Sequence, residues 1–143
     1  MTVNDILSQK GDQVLTIEPA ATLAMAVRML AQRRVGALVV TGADSRIVGI
    51  ISERDIVRVL DEKGTAVLDA PVAEAMTRKV VTCSRSETIA EIMERMTGGK
   101  FRHVPVVEQG RLAGIVSIGD VVKARLSELE HEHDALRDYI RTA

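Results

Sequence analysis

Tryptophan is absent, and Phe101 and Tyr139 are the only aromatic residues in a chain of 143 whose composition is nonetheless 46% hydrophobic. The core must therefore be built from Val, Ile, Leu, Ala and Met, which favours tightly layered helices and strands. A single cysteine, Cys83, excludes an intramolecular disulfide. Charge of one sign is not in excess. The 19 basic and 20 acidic side chains leave a formal net charge of -1, without the electrostatic footprint of a general nucleic-acid binder. No apolar run approaches the ~18 residues of a membrane span, and the opening MTVNDILSQKGD is polar where a signal peptide needs an apolar stretch. These absences point to a cytoplasmic protein with neither nucleic acid nor membrane as partner. The length suits one compact domain that buries roughly two thirds of the unfolded chain's surface.

What is present is written twice. Placing VLTIEPAATLAMAVRML from Val14 on VVTCSRSETIAEIMERM from Val80 matches Val14 with Val80, Thr16 with Thr82, Thr22 with Thr88 and Ala24 with Ala90. Leu23, Ala26, Val27 and Leu30 recur as Ile89, Ile92, Met93 and Met96, the i, i+3, i+4, i+7 spacing of one helical face. After each helix comes a short apolar strand, VGALVV from Val35 and HVPVV from His103. The polar, glycine-bearing turns GADSR and EQGR follow. Each copy then closes on a related stretch, GIISERDIV from Gly49 and GIVSIGDVV from Gly114.

Each unit thus reads strand, helix, strand, strand, helix. Two copies at this long period make a pseudo-twofold pair rather than a solenoid. The expected fold is α+β (α/β-like), two βαββα units with their sheets packed together and helices outside. VNDILSQKGDQV and VAEAMTRKV are short amphipathic lead-ins, one before each copy. The expected divisions are residues 1–66 for the first unit with its lead-in, 67–126 for the second and 127–143 for a helical extension. Into that extension Leu126, at its border, and Leu129, His133, Leu136 and Ile140 within it continue a heptad-like seam from Val122, suited to a partner chain or to packing back on the domain. Pro105 implies that its strand tolerates a missing donor or that the backbone there has another use.

Ser52 and Ser117 each stand between a strand and a helix, with Asp55 and Asp120 three residues on. A capping box explains that pattern, serine accepting from the backbone and aspartate favoured by the helix dipole. The same position also presents a carboxylate at a sheet rim, where it can accept from the two hydroxyls of a ribose. The two roles are compatible. There is no nucleophile paired with a base, no H-E-x-x-H and no Walker glycine loop, so the reading is of a binder and not of an enzyme. His131 and His133 stand two apart, on different helical faces, and Cys83 is expected to be a small buried hydrophobe.

The tandem units, each opening at a threonine and closing in G-h-h-S-x-x-D, with VGALVV and RHVPVV before it, resemble a pair of CBS domains (cystathionine-beta-synthase domains) from Val3 to Leu126. The resemblance implies two pseudo-equivalent clefts for an adenosine-containing effector: AMP, ADP, ATP, NAD or S-adenosylmethionine. In one, Asp55 would hold the ribose, with Ser52 and the backbone of Ile50 near the adenine, completed by Thr82, Arg102 and His103 of the second unit. In the other, Asp120, Ser117 and Ile115 would be completed by Thr16, Gly36 and Ala37, with Arg54 reaching the phosphate, helped by Arg33 or Arg34. Lys100, Arg102 and His103 in the first cleft against Gly36 and Ala37 in the second imply unequal affinities. The implied function is that of a non-catalytic adenine-nucleotide sensor. It would be a homodimer, acting on a separate protein through a ligand-dependent change of shape or assembly. The alternative is a constitutive dimeric scaffold with vestigial clefts.

Overall fold

A computed structural model describes residues 1–142; Ala143, the last residue of the expected extension, lies outside them. Among the described residues the chain has five α-helices and two small sheets. The elements run α1 (Val3–Lys10), β1 (Thr16–Ile17), α2 (Leu23–Arg33), β2 (Ala37–Thr41), β3 (Ile47–Ser52), α3 (Glu53–Lys63), α4 (Ile89–Gly99), β4 (His103–Glu108), β5 (Arg111–Ser117) and α5 (Ile118–Thr142), with short 3-10 turns between. In the first sheet β1 pairs parallel to β2 and β2 antiparallel to β3; in the second, β4 pairs antiparallel to β5. The two copies even share an irregularity, a register shift between Val40 and Thr41 and another between Val106 and Val107. In the second hairpin Gln109 (φ 51°) and Gly110 (φ 76°) form a two-residue loop with both dihedrals positive, whose twist matches that of the strands.

Three of the four positions of each helical stripe are buried, while Val27 of the first stays 39% exposed and Met93 of the second is only partly buried. Leu23, Ala26 and Leu30 enter one core with Leu38, Val40 and Ile51, and Ile89, Ile92 and Met96 enter another with Val104, Val106 and Val116. The α+β architecture of two related units holds, with one strand missing. Thr16–Ile17 pairs with Val39–Val40, but its repeat around Val80–Cys83 is reduced to a bridge between Cys83 and Val106. Pro105 supplies the reason. Val39 donates its N–H to the Leu15 carbonyl at 3.2 Å; Pro105 stands at the repeat of Val39 and has no N–H to give to Val81, the repeat of Leu15.

The two lead-ins are exchanged between the cores. Val3, Ile6 and Leu7 of α1 are buried in the second core, where Val3 N–H donates to the Glu87 carbonyl and Asn4 N–H to that of Arg85, both at 2.9 Å. Val72, Ala75 and Met76 complete the first core instead, with Val72 N–H on the Ala21 carbonyl at 2.7 Å. Close approach of these lead-ins explains the glycine that opens each repeated stretch. A Cβ on Gly49 would lie 2.6 Å from Met76 Sδ, and one on Gly114 2.8 Å from Leu7 Cδ2. Val121 and Ala124 anchor the start of α5, but from Leu129 to Thr142 every residue of that helix is exposed, so it does not pack back on its own domain.

Candidate functional site

A cavity of about 810 Å³ opens where the β3–α3 junction of the first unit meets the second unit. One wall is Ile50 and Ser52 to Asp55, with Arg58; the others are Thr77 with Lys79–Val81, and Gly99–His103. Of the residues expected in the first cleft, Ile50, Ser52, Asp55, Arg102 and His103 all line it. Thr82 does not; Val80 and Val81 reach it instead. Arg54 and Gly36, expected in the other cleft, line this one. The reason for Arg54 is local, since it shares the first turn of α3 with Asp55.

Asp55 is the buried charged residue at the centre, 5% exposed. Its Oδ2 accepts from Ser52 N–H and Ser52 Oγ, each at 3.0 Å, while Asp55 N–H donates to Ser52 Oγ at 3.3 Å. The capping box is therefore formed. Oδ1 accepts from Thr77 Oγ1 at 3.2 Å and lies 3.3 Å from a guanidinium nitrogen of Arg58. A carboxylate with this many donors is held in one orientation at little freedom, as a buried charge requires. A sugar hydroxyl can reach it by taking the place of a hydroxyl, or of Arg58, whose side chain is half exposed.

The backbone offered to the cavity is not that of Ile50. Ile50 N–H donates to the Thr77 carbonyl at 2.9 Å, and Thr77 N–H returns the bond to the Ile50 carbonyl at 2.8 Å, so the Ile50 donor is already used. Val81 is the contrast. Among the described residues neither its N–H nor its C=O has a hydrogen-bond partner; the C=O is left over because Pro105, inside β4, has no N–H to give it. An adjacent free donor and acceptor at a cavity wall is an edge that a base can pair with. The sequence carried a signal for this in Pro105, but only comparison of the two folded copies identifies which carbonyl it frees.

Electrostatically the cavity favours an anion. Arg54, Arg58, Lys79, Lys100 and Arg102 line it against the carboxylates of Glu53 and Asp55. His103 is pushed below its ordinary pKa, chiefly by burial, with the Glu53 carboxylate opposing, so it is neutral at pH 7. Its ring sits over Gly36, where a Cβ would lie 3.0 Å from both Cε1 and Nε2 of the imidazole and from Oε1 of Glu53. A side chain at position 36 would require the ring and the flexible Glu53 side chain to give by a few tenths of an ångström.

The second set of expected residues is arranged differently. Asp120 and Ser117 form the same reciprocal pair, Ser117 N–H to Asp120 Oδ2 at 2.9 Å and Asp120 N–H to Ser117 Oγ at 3.1 Å. Lys10 Nζ, however, donates to Asp120 Oδ2 at 2.7 Å. Burial acts to raise the Asp120 pKa, but the Lys10 ammonium and the Ser117 N–H outweigh it and hold the carboxyl below its usual range. Ile115 pairs with Pro105 across the second sheet, Ala37 is buried, and Thr16 is exposed on β1; none of them lines the cavity. Arg33 and Arg34, at the end of α2, do not line it either. Lys10 was not among the expected residues. Its counterpart in the other lead-in is Lys79, which lines the cavity.

The CBS domain family matches residues 3–62 and 72–127, and the chain belongs to that family. The CBS-domain containing protein ATU1752 from Agrobacterium tumefaciens is similar in structure, with a TM-score of 0.85 and 50% identity over 87% of this chain and 92% of that one. The CBS domain pair of protein MJ0100, in complex with 5′-methylthioadenosine and S-adenosyl-L-methionine, gives 0.79 and 26% over 90% and 98%. The CBS domain protein PAE2072 from Pyrobaculum aerophilum, complexed with AMP, gives 0.75 and 29% over 84% and 89%.

Proposed function

We propose that this chain is a non-catalytic regulatory module that binds a phosphorylated adenosine ligand in the cavity beside Asp55. The observation that carries the reading is the conjunction, in one cavity, of a free backbone edge at Val81, a fixed carboxylate at Asp55 and a cluster of cations. Adenine offers an acceptor and an amino donor side by side, which complements the N–H and C=O of Val81. The ribose hydroxyls take Asp55, and the phosphate takes Arg102, Arg54 or Lys100. The AMP complex of PAE2072 and the S-adenosyl-L-methionine complex of MJ0100 support an adenosine ligand, and the basic lining favours those that carry phosphate, AMP, ADP, ATP or NAD. Because the cavity joins residues of both units, a ligand that fits one relative placement of the units better than another shifts their equilibrium. That shift is the signal passed to a separate protein.

The second cleft is the weaker one in this reading, since a ribose there must first displace Lys10 from Asp120. The module works as a homodimer, a reading supported by the large apolar side chains left exposed on α2, α3 and α5, among them Met25, Val57 and Leu126. The same exposed face on α5 is what favours the alternative, a constitutive dimeric scaffold. Thermal unfolding of nucleotide-free protein in the presence of AMP, ATP, NAD, S-adenosylmethionine, adenosine and GMP separates the two. A sensor is stabilised by binding, more by AMP than by adenosine and more than by GMP, whose base carries its donor and acceptor in reversed order. No shift with any adenine ligand would leave the scaffold.

A further inference from the structure

Helix α5 presents two faces with different duties. Val121 and Ala124 are buried in the second core, and Glu128 is half-buried on the same side. Val122, Leu126 and Leu129 are 42%, 56% and 45% exposed, and Leu136 and Ile140 reach 58% and 66%. At 100° per residue the exposed set lies roughly 140° around the helix from the buried one. A second helix can therefore lie along the seam without disturbing the domain. Val122, Leu129 and Leu136 occupy one heptad core position, and Leu126, His133 and Ile140 the other. Leu126, Leu129, Glu130 and His133, with Asp134, already enclose a recess. The first four have the i, i+3, i+4, i+7 arrangement of a hole that accepts a side chain from a facing helix.

The flanking charges decide what covers this seam and in which direction. In a parallel, in-register pair, the residue before one core position faces the residue five further along in the partner. Arg125 then meets the partner's Glu130, and Glu132 meets the partner's Arg137; both contacts pair opposite charges, and the twofold repeats each of them. With the helices antiparallel and the same apolar residues layered, Glu130 meets the partner's Glu130, Glu132 the partner's Glu132, and Lys123 the partner's Arg137. Every one of those contacts is repulsive. We propose that the occupant of the seam is a second copy of this chain, with the two α5 helices packed parallel and in register about a twofold axis. The inference rests on the homodimer reading and specifies its contact. His133 is the polar member of the seam, a device that fixes register in such pairs.

The test is sedimentation equilibrium of the full chain, free of nucleotide. Arg125 is paired with the Glu128 carboxylate at 3.0 Å within its own helix, whereas Arg137 touches the His133 ring at 3.1 Å and no carboxylate among the described residues, so Glu132 and Arg137, both exposed, are the better probes. Glu132→Arg alone and Arg137→Glu alone should each weaken the dimer roughly tenfold, and the double variant should return it to within about threefold of the wild type. Leu136→Cys, with Cys83 buried, should form a disulfide-linked dimer under mild oxidation, because the two positions face each other only in the parallel pair. A monomeric wild type would overturn the homodimer reading and the seam together. A dimer indifferent to both charge reversals, or a Leu136→Cys protein that does not cross-link, would overturn the seam and leave dimerisation through another face.

Discussion

Replacing Pro105 with alanine adds one N–H to the protein, and the fold determines where it points. In the first unit the matching N–H, that of Val39, reaches the Leu15 carbonyl at 3.2 Å. In Pro105→Ala the new donor therefore faces the Val81 carbonyl and satisfies it from within. An adenine amino group must then share or displace that bond. Loss of one neutral hydrogen bond corresponds to about 1 kcal/mol, or an affinity lower by roughly fivefold. The fold itself should barely respond. The gain of a backbone bond, about 1 kcal/mol, is offset by the greater freedom of the unfolded chain once proline is gone, about 0.4–1 kcal/mol. Calorimetric titration with AMP, beside urea unfolding, reads both quantities. Affinity unchanged in a variant of unchanged stability would refute the assignment of Val81 as the base-reading edge.

Other expectations follow from the same geometry. Asp55→Ala removes the carboxylate half of the capping box, which accepts from Ser52 N–H and Oγ, and the partner of Thr77 and Arg58. It should destabilise the fold by about 2 kcal/mol as well as abolish AMP binding; urea unfolding that matches the wild type would contradict the structural half. Arg102→Ala should weaken AMP more than adenosine in paired titrations, and equal losses would remove Arg102 from the phosphate. His103 has its pKa lowered in the folded state, mainly by burial, so the unfolded chain takes up a proton first as pH falls. Its share of stability is complete above about pH 6.5 and is lost progressively below that, toward the folded pKa. In His103→Gln the slope of unfolding free energy between neutral pH and about pH 5 should flatten; an unaltered slope would place that titration elsewhere.

How much of this was legible in the sequence differs from residue to residue. The helical stripes and the second hairpin were, because spacing and turn chemistry act locally: Leu23, Ala26 and Leu30 go where their period sends them, and Gln109–Gly110 turns as such a pair does. The exchange of lead-ins was not. An amphipathic segment such as Val3–Lys10 announces that it has a face to bury, but nothing in its period says which of two similar cores will receive it. That exchange is also why Lys10 arrives at Asp120 and Lys79 at the cavity; Arg54 and Gly36 fall beside the first set of residues for local reasons, Arg54 through the first turn of α3 and Gly36 through the bond its carbonyl accepts from Glu53 N–H. That the Ile50 N–H is already used, although Ile50 lines the cavity, is not legible for a related reason. Its strand alternation was clear, while the partner of its N–H, Thr77, comes from a segment with no strand signal of its own. The capping and ligand readings of Ser52–Asp55 never had to compete, since the carboxylate that caps α3 is the one at the cavity wall.

Calorimetric titration of nucleotide-free protein with AMP, repeated on Asp55→Asn, tests the central claim most directly. The account predicts saturable binding with one dominant site per chain, greatly weakened by the substitution, the cleft at Asp120 filling only at higher concentration if at all. Absence of heat, or a site that Asp55→Asn leaves intact, would contradict it.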